Sequence, residues 1–137
     1  MIGVSINYRL NAFGFLRSED TIGTGNTNLG LRDQRLALEW IQENIAAFGG
    51  DPSKVTIWGE SAGATSVGLH LISYGGRDDG LFRGAIMQSG SPIRSYMDPR
   101  DSQGQYDEIV EAVGCNNSIS SLACLRDVPL TSLHEAI

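Results

Sequence analysis

The sequence is short of basic residues, of histidine and of cysteine, and it has no long apolar run. Lys54 is its only lysine, and 10 basic residues face 16 acidic ones, giving a net charge of −6 and a pI near 4.7. A chain of that sign has no electrostatic pull on nucleic acid or on anionic membrane surfaces, so neither is an expected partner. No stretch approaches the length of a membrane span, so no integral membrane segment is expected. Two histidines and two cysteines, with no C-x-x-C motif or histidine cluster, argue against a metal site, and no cofactor is expected. Residues 1–8 lack the basic region, long apolar run and cleavage site of a signal peptide.

What is present is enough for a core. The 137 residues have the size of one domain, and 41% of them are hydrophobic. Ile2, Val4, Ile6 and Tyr8 alternate and predict a strand that starts almost at the first residue. A core strand at the very start predicts that residues are missing before Met1. Residues 9–28 have loop composition, with Phe13, Phe15 and Leu16 as an apolar patch and Asn28 as an N-cap candidate. Residues 29–47 predict a helix with Leu31, Leu38, Ile41 and Ile45 on one face and Leu36 and Trp40 on a second. Its remaining stripe, Arg32, Arg35, Glu39 and Glu43, predicts a solvated face with weak pairs. Gly49, Gly50 and Pro52 end that helix.

Val55-Thr56-Ile57-Trp58 then predicts a buried strand, and residues 64–73 a helix. Between them stands Gly59-Glu60-Ser61-Ala62-Gly63. A strand, a Gly-x-Ser-x-Gly turn and a helix form the context of a nucleophile elbow. Reversal within so few residues forces Ser61 into a sparsely populated backbone conformation with its hydroxyl projecting outward. Crowding beside it calls for glycine at Gly59 and Gly63. The free N–H groups at the start of the helix, that of Ala62 first, point to where an oxyanion would form. The pentapeptide by itself arises by chance in about one chain in twenty of this length. Alone it leaves open a glycine-rich turn that only packs tightly or cradles a phosphate.

Residues 84–88 predict a third strand, and the order strand, helix, strand, helix, strand implies a parallel sheet. Ser89-Gly90-Ser91-Pro92 follows at the strand's carboxyl end, as a lining of the Ser61 pocket or as an ordinary turn. Residues 102–113 predict an amphipathic helix, a short helix carries Leu122, Cys124 and Leu125, and Pro129 opens a last helical piece that stops mid-pattern. The C-terminus therefore also predicts a cut. Cys115 and Cys124 either bridge a small loop or stay as buried thiols. Asn116-Asn117-Ser118 is a glycosylation sequon, and a bridge and a sequon together point to a secretory compartment.

Several runs carry a resemblance: Asn7-Tyr8-Arg9, Asn28-Leu29-Gly30-Leu31-Arg32-Asp33-Gln34-Arg35, Phe48-Gly49-Gly50-Asp51-Pro52, Val55 through Gly63, and Met87-Gln88-Ser89-Gly90. Together they are similar to the type B carboxylesterases, which include the cholinesterases and the extracellular fungal lipases. Ala123-Cys124-Leu125-Arg126 and the cysteine spacing are most similar to the fungal branch. The resemblance implies an α/β-hydrolase fold, here partial, and a serine hydrolase acting on small-molecule or lipid esters through an acyl-enzyme. It implies Ser61 as nucleophile, the Ala62 N–H as one oxyanion donor, Glu60 as the acidic neighbour of the nucleophile, and a Cys115–Cys124 disulfide. It divides the chain into a sheet core over 1–92 with the elbow, and a helical, disulfide-containing excursion over 93–137. It also implies a secreted full-length protein.

By the same resemblance, a His-Gly-Gly-type oxyanion loop lies upstream of Met1, and the triad acid and histidine lie downstream of Ile137. The chain's own histidines do not substitute. His70 is nine residues after Ser61. On a helix that is half a turn out of phase and about 13 Å along the axis. Nothing in the sequence aims His134 at the pocket. The 137 residues alone are thus expected to be near-inactive. The competing expectation is a non-catalytic truncated product or interaction module of the same family.

Overall fold

A strand persists only where a neighbour takes its backbone donors and acceptors. In the computed structural model, which describes residues 1–93 and 102–137, two segments meet that condition. Strand β1, Thr56–Glu60, and strand β2, Gly84–Gln88, pair in parallel with Thr56 opposite Gly84 and Glu60 opposite Gln88. The strand predicted over residues 2–8 does not form: that segment joins no ladder among the described residues. A cavity lined by Ile2, Val4, Ile6 and Tyr8 and by residues 55–58 lies between it and β1.

The described residues divide into two compact units, residues 1–8 with 31–93 and residues 9–30 with 102–137. In the first, helix α3 (Leu29–Asn44, of which residues 31–44 belong here) runs on into a 3-10 turn, Ile45–Phe48. Gly49 stops the turn with φ 80°, a conformation glycine adopts without strain. Leu38, Ile41 and Ile45 of this stretch pack with Ile57, Val67, Leu81 and Phe82 in one core. The second apolar face does not hold: Leu36 and Trp40 are exposed. The solvated charge stripe fails at Arg35, which is buried, paired with Asp79 and stacked 4.8 Å from the ring centroid of Tyr74. Tyr74 and Asp79 come from turns far along the chain, so spacing on the helix could not announce this.

Helix α4 spans Ala62–Gly76 and breaks at Ser73, Tyr74 and Gly75, where the backbone leaves helical angles. Gln34 and His70 meet between α3 and α4: His70 Nε2 lies 2.9 Å from Gln34 Oε1, and Gln34 Nε2 donates to Ser66 Oγ at 3.3 Å. Burial, with Arg35 nearby, pushes the His70 pKa below its ordinary value.

The second unit holds the region read as loop. It contains two short helices, α1 (Asn11–Phe15) and α2 (Glu19–Gly23). Loop composition misled here because a capping box, Ser18 with Thr21, closes the first turn of α2 inside the protein. Asn28 directly precedes α3 with φ 52°, a left-handed conformation that asparagine tolerates. Helices α5 (Gln103–Ala112), α6 (Ser121–Asp127) and α7 (Leu130–Glu135) follow. Tyr106, Ile109, Val110, Cys115 and Leu125 form their core, and the Tyr106 hydroxyl lies 2.7 Å from Ser121 Oγ. A disulfide joins Cys115 to Cys124. Residues 94–101 of the excursion read over 93–137 lie outside the described residues.

Candidate active site

Glu60 is the last residue of β1 and Ala62 the first of α4, so Ser61 alone makes the reversal. Its φ of 52° and ψ of −114° lie where residues with a Cβ are rarely found. Two backbone bonds hold it there. The Ser61 N–H donates to the Gln88 carbonyl at 2.9 Å, and the Ser61 carbonyl accepts from the Thr65 N–H at 3.0 Å, the first turn of α4. The strain is thus carried by the end of the neighbouring strand on one side and by a helix on the other.

Glycines permit the approach. A Cβ on Gly59 would collide with the backbone of Gly63 and stand 2.7 Å from the Ala64 nitrogen. A Cβ on Gly90 would stand 2.7 Å from both Ala64 Cβ and the Ser61 carbonyl oxygen. At Gly63 the expected crowding is absent: a Cβ there would meet nothing within 4 Å, because Gly63 opens onto a cavity. The segment after β2 therefore reaches the serine through Gly90, and Gln88 holds its amide. Neither residue was singled out from sequence as a support of Ser61. The available signal was the position of Gln88-Ser89-Gly90 at the carboxyl end of a strand parallel to β1.

Glu60, Ser61 and Ala62 are all exposed. Ser61 makes no side-chain cap bond to the helix it precedes, so its hydroxyl is left for other partners. The first N–H groups of α4 have no acceptor within the helix, and the helix dipole adds positive potential beside them. Among the described residues no side chain hydrogen-bonds the Ser61 hydroxyl. The His70 ring is buried and engaged with Gln34, and His134 is exposed on α7 in the other unit. Cys115 and Cys124, with the exposed Asn116 between them, also belong to that unit. No trio of His, Cys, Asp or Glu side chains converges on a metal position among the described residues, and no helix is long and apolar enough to cross a membrane.

A family model described as "Carboxylesterase family" matches residues 1–137, the whole chain. The chain belongs to the carboxylesterase family. Secreted lipase 1 of Botryotinia fuckeliana is 51% identical over 143 aligned residues, which cover 99% of this chain and 25% of that protein. Lipase 5 of Diutina rugosa is 48% identical, over 99% of this chain and 26% of its own length. Among solved structures, EstA of Aspergillus niger superposes with a TM-score of 0.87 and 42% identity, covering 95% of this chain and 25% of that one. The fold is therefore that of the α/β-hydrolases, in part, and the carboxylesterase chain in hand spans about a quarter of the length of the curated relatives it matches.

Proposed function

We propose that Ser61 is the nucleophile of a carboxylic ester hydrolase. Its hydroxyl attacks the ester carbonyl, the alcohol leaves, and water hydrolyses the acyl-enzyme. The Ala62 N–H donates to the oxyanion, and Glu60 stands as the acidic neighbour of the nucleophile. The observation that carries this reading is the backbone of Ser61, strained at the junction of β1 and α4 and tethered to Gln88. Strain of that kind persists only where the surroundings over-determine it, and it collects at reactive sites. The triad acid, the histidine and the further oxyanion donors come from outside these 137 residues. These residues alone are accordingly near-inactive: a serine without its base is a weak nucleophile.

The substrates are lipid or small-molecule esters, a reading supported by relatives named as lipases. The full-length protein is extracellular, supported by two relatives named as secreted and by the disulfide beside an exposed sequon at Asn116.

The test is a transplant. The 137 residues replace the matched stretch of the Botryotinia fuckeliana lipase, and hydrolysis of a p-nitrophenyl ester is followed. The chimera should be active, and Ser61→Ala should lower its kcat by about 10⁴-fold or more. Full activity in Ser61→Ala would remove Ser61 from the mechanism. Brisk, Ser61-dependent hydrolysis by the 137-residue chain alone would overturn the need for outside residues.

A further inference from the structure

After helix α5, Gly114 turns the chain with φ 74°, and Cys115 drops into the core of the second unit. The residues that follow, 116–120, are all exposed. They include Asn116-Asn117-Ser118, the one Asn-x-Ser/Thr sequon of the sequence. Such a triplet can arise by chance, so its surroundings decide what it does.

The side chains stand free. Asn117 Nδ2 donates to Asn116 Oδ1 at 3.5 Å, and Asn116 Nδ2 has no partner among the described residues. Neither has the hydroxyl of Ser118, the group a sequon requires two residues on. Next to it, Ile119 holds a large apolar side chain fully in water. An oligosaccharide on Asn116, bulky and solubilising, would stand beside that side chain and cover it.

The backbone is closed. The Ser118 N–H donates to the Cys115 carbonyl at 3.2 Å, which folds the triplet into a turn. Both ends of the turn are fixed. Cys115 is buried and bridged to Cys124, and the Ser120 hydroxyl caps α6 by accepting from the Ala123 N–H at 3.3 Å. A transferase has to draw asparagine and hydroxyl together into its own cleft. Here one peptide bond separates Asn116 from a buried, bridged residue. The folded loop therefore displays the amide and withholds the backbone around it.

Attachment before the bridge closes removes that conflict. Cys124 follows Cys115 by nine residues, so at synthesis rates of about 5–20 residues per second it appears within about two seconds. Bridges form in seconds to hours, which leaves an interval in which the triplet is still open.

We propose that Asn116 carries an N-linked glycan, attached to the nascent chain before Cys115 and Cys124 pair. The donor is a lipid-linked oligosaccharide. Asn116 Nδ2 forms a bond to C1 of its first sugar, and the bond from C1 to the lipid pyrophosphate breaks. The pyrophosphate leaves with the bonding pair, and the amide gives up one proton. The proposal rests on the extracellular reading of the full-length protein, so its test supplies entry to the secretory pathway and reads only the site.

The chimera of these residues with the Botryotinia fuckeliana lipase is translated behind a cleavable leader in the presence of microsomes. Leader cleavage shows that the chain has entered, and the site is read on the nascent chain, so the result does not depend on folding. After reduction, trypsin puts Asn116 and both cysteines in one peptide, residues 101–126. Enzymatic removal of the glycan in heavy-oxygen water labels an asparagine that carried one. The label should appear at Asn116, vanish in Ser118→Ala and return in Ser118→Thr. The order is read on protein made without microsomes and then oxidised. It is offered to solubilised transferase and lipid-linked oligosaccharide, either bridged or with its cysteines reduced and alkylated. The open form should accept about tenfold more than the bridged one, whose loop must first unfold locally. Entered chains with a bare Asn116, or a label that persists in Ser118→Ala, would overturn the site and leave the extracellular reading standing. Equal transfer to the bridged and open forms would overturn the order. A full-length protein found inside the cell would overturn both readings.

Discussion

The amide of Ser61 is bonded to the carbonyl of Gln88 at 2.9 Å, so the conformation of the elbow serine is held by the last residue of the neighbouring strand. The elbow is therefore a property of the β1–β2 pair as well as of its own pentapeptide. Its shape should respond to changes that never touch Ser61.

The tightest such point is Gly59. Alanine there drives a methyl group into the backbone of Gly63, and backbone cannot swing aside as a side chain can. Gly59→Ala should cost about 3 kcal/mol of stability, the upper part of the usual range for overpacking. Urea melts of the two proteins would show it as a fall in the midpoint. An unchanged midpoint would mean that the elbow relaxes at little cost.

Arg35 is buried, and among the described residues its Nη1 has no hydrogen-bond partner, so Asp79 and Tyr74 carry most of its compensation. Asp79→Ala strips the counter-charge from a buried cation. Because Asp79 is itself partly exposed and water can take over some of its role, the expected loss is about 1–3 kcal/mol, below the full cost of breaking a buried pair. Arg35→Met, which removes the charge and keeps much of the volume, should cost less than Asp79→Ala. The two denaturation midpoints decide the order.

His70 makes stability depend on pH. Its folded pKa lies below the ordinary 6.5 through burial, with the Arg35 charge adding to it, so the unfolded chain takes up the proton first. Stability is full above pH 6.5 and falls as pH drops through that value toward the folded pKa. Chemical denaturation between pH 5 and 8 should show this slope, and His70→Gln should flatten it. An equal slope in His70→Gln would assign the dependence to carboxylates.

The disulfide closes a loop of nine residues. Loop-closure entropy for that length predicts a loss of about 2–3 kcal/mol on replacing both cysteines by serine. Cys115 is fully buried, so the serine hydroxyl there adds a desolvation cost. Amide exchange should rise in α5 and α6 of the double variant and stay as it was in β1 and β2.

Local signals in the sequence carried far. Strand β2, helix α5 and the α6–α7 pair stand where apolar spacing and Pro129 put them, since periodicity records which face a segment buries. The elbow was legible because its glycines, serine and flanking apolar runs lie within a dozen residues. What spacing could not express was contact between distant segments. Arg35 looked like part of a solvated stripe because Asp79 is 44 residues away. Gln88 looked like an ordinary strand end because its partner is Ser61. The strand expected over residues 2–8 had the right alternation, but alternation reports fitness for a ladder and does not supply the neighbour. Helix α2 escaped notice for the opposite reason: the polar residues at its start hydrogen-bond one another locally while buried, as Ser18 does with Thr21.

Both tryptophans, Trp40 and Trp58, lie in the unit that holds the sheet, and neither is buried. Intrinsic fluorescence excited in the tryptophan band is therefore a one-sided witness. It follows the melting of the elbow and its strands and is blind to the helices around the disulfide. Far-ultraviolet dichroism sees both units. The gap between the two curves, recorded on the same sample, measures how far one unit can come apart while the other remains folded.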